Sequence, residues 1–201
     1  MTSNKHRAPL SDPQARVRAL EAVLSEKGLI DQKAIDTIID HYENKVGPHL
    51  GAKVVARAWT EPDFKRHLLD DGPAAIAEMG LAGIEGTHVL VKENTPSVHN
   101  LVVCTLCSCY PWSVLGLPPS WYKSTPYRAR AVREPRALLQ EFGLTVAEDV
   151  EVRVWDSNAD LRYLVLPMRP QGTEDLAPDE LAALVTRDAM IGTAIVSPPV
   201  E

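Results

Sequence analysis

The sequence is nearly without cysteine, and what it has lies in one place: Cys104, Cys107 and Cys109, with none elsewhere. Distant disulfide partners are therefore missing, and an odd cluster of thiols in a reducing compartment reads as metal ligation or redox chemistry. Basic residues are not in excess either. Lys and Arg number 21 against 27 Asp and Glu, a formal net charge of -6 with the two signs interspersed. Such a chain offers no face of the kind that phosphate backbones require, so nucleic acid is not an expected partner. No apolar run approaches the roughly 20 residues needed to cross a bilayer; the stretch Val98 to Val103 is interrupted by His99 and Asn100. The opening Met-Thr-Ser-Asn-Lys-His-Arg-Ala-Pro lacks the apolar core of a secretory signal, and the expectation is a cytoplasmic protein without a membrane anchor. Internal repeats and low-complexity tracts are also absent.

What remains is a chain of 201 residues with 45% hydrophobic and 24% charged residues, ordinary values for a folded globular protein with an appended arm. The expected class is α+β: an N-terminal helical arm and helices over residues 1–80, then a layered α/β metal-site domain over 81–201, acting as one functional unit. Val17, Leu20, Val23 and Leu24 share a face of a helix running from Ser11 to Gly28. Ile35, Ile38, Ile39, Tyr42 and Val46 do the same from Asp31 to Val46. Both apolar stripes need burial, on this chain's own sheet or on a partner. Residues 49–80 read as short helices broken at Glu61-Pro62 and Gly72-Pro73, before His88–Val91 and Val98–Val103 read as strands. Prolines 111, 118, 119 and 126, among Trp112, Trp121, Tyr122 and Tyr127, mark a rigid irregular segment. A short helix over Pro135–Phe142 follows. Val150–Trp155 and Leu161–Leu166 read as a hairpin across Asp156-Ser157-Asn158-Ala159, Pro178–Thr186 as a last helix, and the chain beyond Gly192 as a loose tail.

The thiol cluster begins where the second strand ends. Three sulfurs within six residues can converge on one ion, because Cys104 and Cys107 stand at the spacing of a turn and Cys107 and Cys109 flank a single residue. Two readings follow. A closed tetrahedral zinc site must recruit His99, His88 or a carboxylate as fourth ligand. Alternatively, the backbone amides of Ser108 and Cys109, once deprotonated, complete a set of two nitrogens and three sulfurs. That strong-field set favours trivalent cobalt or iron and leaves a position open for Lewis-acid chemistry. Thiolates on such a metal invite oxidation, with Cys107 and Cys109 the exposed candidates. The added negative charge calls for arginine donors, which no residue near in sequence supplies, so a fold contact or a partner must.

Val103-Cys-Thr-Leu-Cys-Ser-Cys109, with Tyr110-Pro111-Trp112 and Leu115-Gly-Leu-Pro-Pro119, resembles the metal-site segment of the alpha subunit of cobalt-type nitrile hydratase. The likeness extends to Tyr42–Pro48, Gly51–Val55, Val154-Trp155-Asp156, Arg162-Tyr163 and Leu184–Asp188, hence over most of residues 15–192. The resemblance implies one non-corrin Co(III) per chain, with Fe(III) the lesser alternative, held by the sulfurs of Cys104, Cys107 and Cys109 and the main-chain nitrogens of Ser108 and Cys109. Thr105 speaks for cobalt, since the family's iron enzymes tend to carry Ser there. The resemblance further implies a sulfinic acid at Cys107, a sulfenic acid at Cys109, and hydration of a small nitrile to an amide. The nucleophile is either the Cys109 sulfenate oxygen or a water activated at the site. A beta subunit, in a heterodimer or heterotetramer, would cover the site and donate arginines, and an activator protein would assist cobalt loading.

Other residues enter by the same resemblance. Trp112 is expected to wall the substrate pocket, the alternative being plain core packing, and Glu85 to border it where relatives often have Gln. Asp156, Asp160 and Arg162 are expected around the metal loop, the alternative being an exposed ion pair; relatives commonly have the longer Glu at position 160. His41, His49 and His67 are assigned no role, whereas His99 is a candidate metal contact. Two rival functions remain: the metal-bearing subunit of thiocyanate hydrolase, and a non-catalytic zinc-binding module.

Overall fold

The computed structural model describes residues 12–41, 45–81 and 88–199. The chain divides into two compact units between His41 and Tyr42. The first holds α1 (Asp12–Glu26) and α2 (Gln32–Asp40). Asp31 begins α2 by accepting from Lys33 N at 2.9 Å, satisfying one of the amides a helix start leaves open. Yet α2 buries none of its residues, and Val17, Leu20, Ile38 and Ile39 all remain exposed.

In the second unit, α3 (Pro48–Thr60), α4 (Pro62–Asp70) and α5 (Gly72–Glu78) follow one another, each with proline in its first turn where the missing N–H costs nothing. The most buried of them is α3, whose inner face is small: Gly51, Ala52, Val54, Val55, Ala56 and Ala58. A Cβ on Gly51 would lie 2.8 Å from Met190 Sδ and 2.9 Å from the Val114 carbonyl, so only glycine permits that approach. Glu85 and the rest of 82–87 lie outside the described residues, as do Ser11 and Tyr42.

The strands are β1 (His88–Glu93), β2 (Val98–Val103), β3 (Glu151–Asp156) and β4 (Leu161–Leu166). Here the expected hairpin fails: β3 and β4 do not pair with each other. Instead β4 pairs in parallel with β1, and β3 in parallel with β2. The reason lies in the earlier strands. From His99 onward every residue of β2 is buried, so it is a strand covered on both faces, the environment in which parallel pairing occurs. Residues 157–160 therefore carry the chain from one strand pair to the other instead of closing a hairpin. Leu101, Val102, Val103, Leu164, Val165 and Leu166, all essentially inaccessible, form the centre of the core, at about 1.5–3 kcal/mol for each large side chain removed from water.

After β2 come α6 (Trp112–Leu115), a 3-10 turn over Ser120–Lys123, α7 (Thr125–Arg133) and α8 (Pro135–Glu141). The chain closes with α9 (Pro178–Leu184), against α3, and α10 (Arg187–Ile191). The segment expected to be irregular thus contains a helix, α7, started by Ser124 accepting from Tyr127 N with Pro126 in the first turn. The tail is not loose at its beginning: Thr193 and Val196 are buried. Gly192, at φ +94°, comes so close to the Asn100 carbonyl that a Cβ would stand 1.9 Å from its oxygen. Among the described residues no helix is long and apolar enough to cross a membrane.

Candidate metal centre

The parallel register of β2 and β3 sets Val103 opposite Asp156, and Ser157 N donates to the Val103 carbonyl at 2.7 Å, so both strands end at one level. Cys104, fully buried, directly follows β2, and the chain turns out of the core immediately after it. Asp156 catches that turn with both carboxylate oxygens: Thr105 N donates to Oδ1 at 2.9 Å and Thr105 Oγ1 to Oδ2 at 2.6 Å. The loop then doubles back, Cys107 N donating to Cys104 Sγ at 3.2 Å. The sulfurs of Cys104 and Cys107 stand 3.2 Å apart and those of Cys107 and Cys109 3.0 Å, all within 4.8 Å of one another. These separations are far beyond a disulfide bond of about 2.05 Å, and the thiols are free.

The segment after the loop folds back and grips its carbonyls. Tyr122 Oη donates to the Cys109 carbonyl at 2.9 Å, Arg128 Nη1 to the Cys107 carbonyl at 3.2 Å, and Tyr127 Oη to the Val102 carbonyl at 2.7 Å. The donors are held by ring packing: Trp121 stands edge-on to Tyr127 at 4.8 Å and to Phe142 at 4.9 Å, and Tyr110 to Tyr122 at 5.2 Å. Burial raises the pKa of Tyr122 and of Tyr127, so both remain neutral donors.

Neighbouring sulfurs split the cysteines electrostatically. Hydrogen bonds from the Cys109 and Cys104 thiols, and then from the backbone N–H groups of Cys109 and Ser108, bring Cys107 down to about 7. Burial, followed by the interaction with Cys107, raises Cys109 to about 12, with the positive charge of Arg162 acting in the opposite direction. The exposed Cys107 is therefore the ready thiolate.

The structure gathers Cys104, Cys107, Cys109, Ser108, Thr105 and Asp156 in one place. Arg162, on β4, acts electrostatically on Cys109 and donates through Nη1 to the Asn158 carbonyl at 3.0 Å; its Nε is buried with no hydrogen-bond partner. Asp160 is exposed and enters through its main chain, its N donating to Asn158 Oδ1 at 2.9 Å. Trp112 is half-buried and opens α6 just beyond the loop. His99 is not brought to the sulfurs. Its Nε2 lies 2.7 Å from the Gly192 carbonyl and its Nδ1 3.5 Å from Asn94 Nδ2, so both ring nitrogens are engaged elsewhere. Residue-pattern reasoning missed Tyr122, Tyr127 and Arg128 as supports of the loop, and the Ser124-Thr125-Pro126 helix start could have signalled them.

A trivalent ion fits this donor set better than zinc. Among the described residues the cluster of possible side-chain ligands is the three cysteines alone, which does not close a tetrahedral zinc site.

Comparison with known proteins points the same way. The family description "Nitrile hydratase, alpha chain" matches residues 11–194. The low-molecular weight cobalt-containing nitrile hydratase subunit alpha of Rhodococcus rhodochrous is 60% identical over 185 residues, covering 92% of this chain and 89% of that one. Among solved structures, a double mutant of the Fe-type nitrile hydratase of Comamonas testosteroni Ni1 superposes with a TM-score of 0.89 at 42% identity, covering 94% of each chain. A thiocyanate hydrolase mutant also reaches 0.89, at 38% identity, over 96% of this chain and 93% of that one.

Proposed function

This chain belongs to the nitrile hydratase alpha-chain family, and on that premise we propose that it is the cobalt-bearing subunit of an enzyme that adds water across a carbon–nitrogen triple bond, R–C≡N + H2O giving R–C(O)NH2. The observation that carries this reading is the convergence of the Cys104, Cys107 and Cys109 sulfurs on one point at the end of β2. The Sγ atoms of these residues, with Ser108 N and Cys109 N, would hold one Co(III); Fe(III) is the lesser reading, because the relative at 60% identity is cobalt-containing. When bound, a trivalent ion with an open position supplies a Lewis acid for water or nitrile.

The protein's own residues then have distinct parts. Asp156 and Thr105 fix the direction in which the loop leaves β2. Cys107, the exposed sulfur, is the position suited to the higher oxidation state, sulfinic, and the half-buried Cys109 to the sulfenic. Arg162 offsets negative charge at Cys109 from this chain's side, with Asp160 ordering the turn that precedes it. Trp112 would wall the nitrile pocket and Glu85 border it. The exposed Cys107 and the open apolar faces of α1 and α2 call for a second chain, a beta subunit that covers the site and adds arginines, in a heterodimer or heterotetramer. An activator protein would assist cobalt loading.

The test is co-expression with the beta subunit in cobalt-supplemented cells. About one tightly held cobalt per chain, a peptide spanning Cys104 to Cys109 heavier by about three oxygens and conversion of an aliphatic nitrile to its amide are expected. Stoichiometric zinc on three unmodified thiols would overturn the reading. Turnover of thiocyanate in place of nitriles would transfer the chain to the thiocyanate hydrolase branch, one solved structure of which is 38% identical.

A further inference from the structure

We propose that Arg128 is a positioning residue of the metal centre: it holds the Cys107–Ser108 peptide from its oxygen side so that the nitrogen of Ser108 can act as an anionic donor. The inference rests on the reading of this loop as the cobalt site.

The carbonyl of Cys107 and the nitrogen of Ser108 belong to one planar amide, whose resonance couples the two atoms. When that nitrogen becomes a donor, its proton leaves to solvent and the negative charge is shared between N and O. A cation placed on the oxygen therefore stabilises the donor form without competing for the nitrogen. Arg128 Nη1 donates to this very oxygen at 3.2 Å. A hydrogen bond from a guanidinium strengthens as its acceptor gains charge.

The charge of Arg128 is not used elsewhere. Among the described residues it forms no ion pair, and its Nε is buried with no hydrogen-bond partner. Arg130, two positions further along α7, behaves in the opposite way, pairing with Glu134 and Glu141 at 2.6 Å each. Position is equally well determined. Ser124 caps α7, and the buried Tyr127 ties it to β2 through the Val102 carbonyl, so the next residue is delivered over the loop. The neighbouring grip provides the contrast: Tyr122 holds the Cys109 carbonyl, part of a peptide whose nitrogen belongs to Tyr110 and lies outside the donor set.

The experiment compares wild type with Arg128→Gln, Arg128→Lys and Tyr122→Phe, each co-expressed with the beta subunit and cobalt. Cobalt per chain, the position of the cobalt absorption band and the rate of cobalt loss to a chelator are read, with circular dichroism to confirm folding. Arg128→Gln is expected to lose cobalt about ten-fold faster, because the nitrogen is reprotonated more readily, and to shift the band to shorter wavelength, because without the cation on the oxygen more of the shared charge rests on the nitrogen. Arg128→Lys should recover part of both effects, and Tyr122→Phe should leave the band in place. If Arg128→Gln does not load at all, a loaded Arg128→Lys supports the role and an unloaded one overturns it. A wild-type band and chelator resistance in Arg128→Gln would overturn it too, as would an equal band shift in Tyr122→Phe, which would reduce Arg128 to general stiffening. Wild-type protein without firmly bound cobalt would instead remove the metal reading on which the inference rests.

Discussion

The loop from Cys104 to Cys109 and the helices α1 and α2 stand at opposite extremes of internal determination. The loop has no regular structure, yet Asp156 holds Thr105 by two bonds, Arg128 holds the Cys107 carbonyl, and Tyr122 holds the Cys109 carbonyl. The helices have regular structure and a capped start, but Val17 and Leu20 are more than half exposed, Ile38 and Ile39 nearly so, and α2 buries nothing. Regularity is therefore a poor guide to what a chain fixes by itself. The metal loop takes its shape from its own polypeptide, whereas the amphipathic pattern of residues 12–41 is a demand for apolar surface that these residues do not themselves satisfy.

The sharpest way to break that contrast is to remove a donor. Cys109→Ser should abolish turnover and firm cobalt binding together, because a hydroxyl replaces the soft thiolate in a set that selects its metal by ligand type; metal analysis and a nitrile assay on the same sample check it. Wild-type activity in a fully metallated mutant would exclude Cys109 from the chemistry. Asp156→Ala should come next, costing about 10–100-fold in cobalt affinity or turnover, the usual effect of losing the group that orients a ligand loop. Folding stability should fall by only about 1 kcal/mol or less, since the carboxylate is exposed and its bonds to Thr105 lie at the surface. Equal losses in thermal melting and in cobalt affinity would show that the loop is no more preorganised than the rest of the fold.

The parts of this arrangement legible in the sequence are those written locally. Three cysteines within six residues, a strand ending at Cys104, and the stripes of α1 and α2 all depend on neighbours in the chain. The supports of the loop do not. Asp156 meets Thr105 across 51 residues only because β3 runs parallel to β2 in a register that sets Asp156 beside Val103. The residue pattern, which paired β3 with β4, placed Asp156 in a hairpin turn, and only the family resemblance set it beside the metal loop. Residue pattern alone could not prefer the parallel partner, because what decides it is the burial of β2 on both faces, a property of the assembled layers. Arg128 was illegible for a related reason: four prolines between residues 111 and 126 suggested irregular chain, when Pro126 in fact begins the helix that carries the arginine to the loop.

The helical side of the comparison can be sharpened by charging its open stripe. Ile38→Glu should leave the second unit folded and its sulfur cluster competent for cobalt, while weakening association with the beta subunit about ten-fold, the effect of losing about 1.4 kcal/mol of apolar contact. Sedimentation over a concentration series would read the change. Undiminished assembly would mean that the stripe at Ile38 and Ile39 faces solvent in the complex as well, and that the demand for a partner is met elsewhere.

The smallest effect is expected at Thr105, where one methyl group is at stake. In Thr105→Ser the hydroxyl that donates to Asp156 Oδ2 at 2.6 Å is retained, as is the N–H that donates to Oδ1, so both ties of the loop survive. Only one methyl of a partly exposed residue is lost, worth at most about 0.5 kcal/mol, so cobalt content and turnover should remain within about two-fold of wild type. Thr105→Val makes the opposite exchange, keeping the branched shape and removing the hydroxyl, and should cost more than the serine variant in both measurements. Metal analysis after growth with cobalt and iron supplied together decides between the two contributions. If the serine variant takes up iron in place of cobalt while the valine variant keeps cobalt, the methyl group and not the bond to Asp156 governs metal choice, and the loop would discriminate ions by shape at a position whose hydroxyl is tied to Asp156.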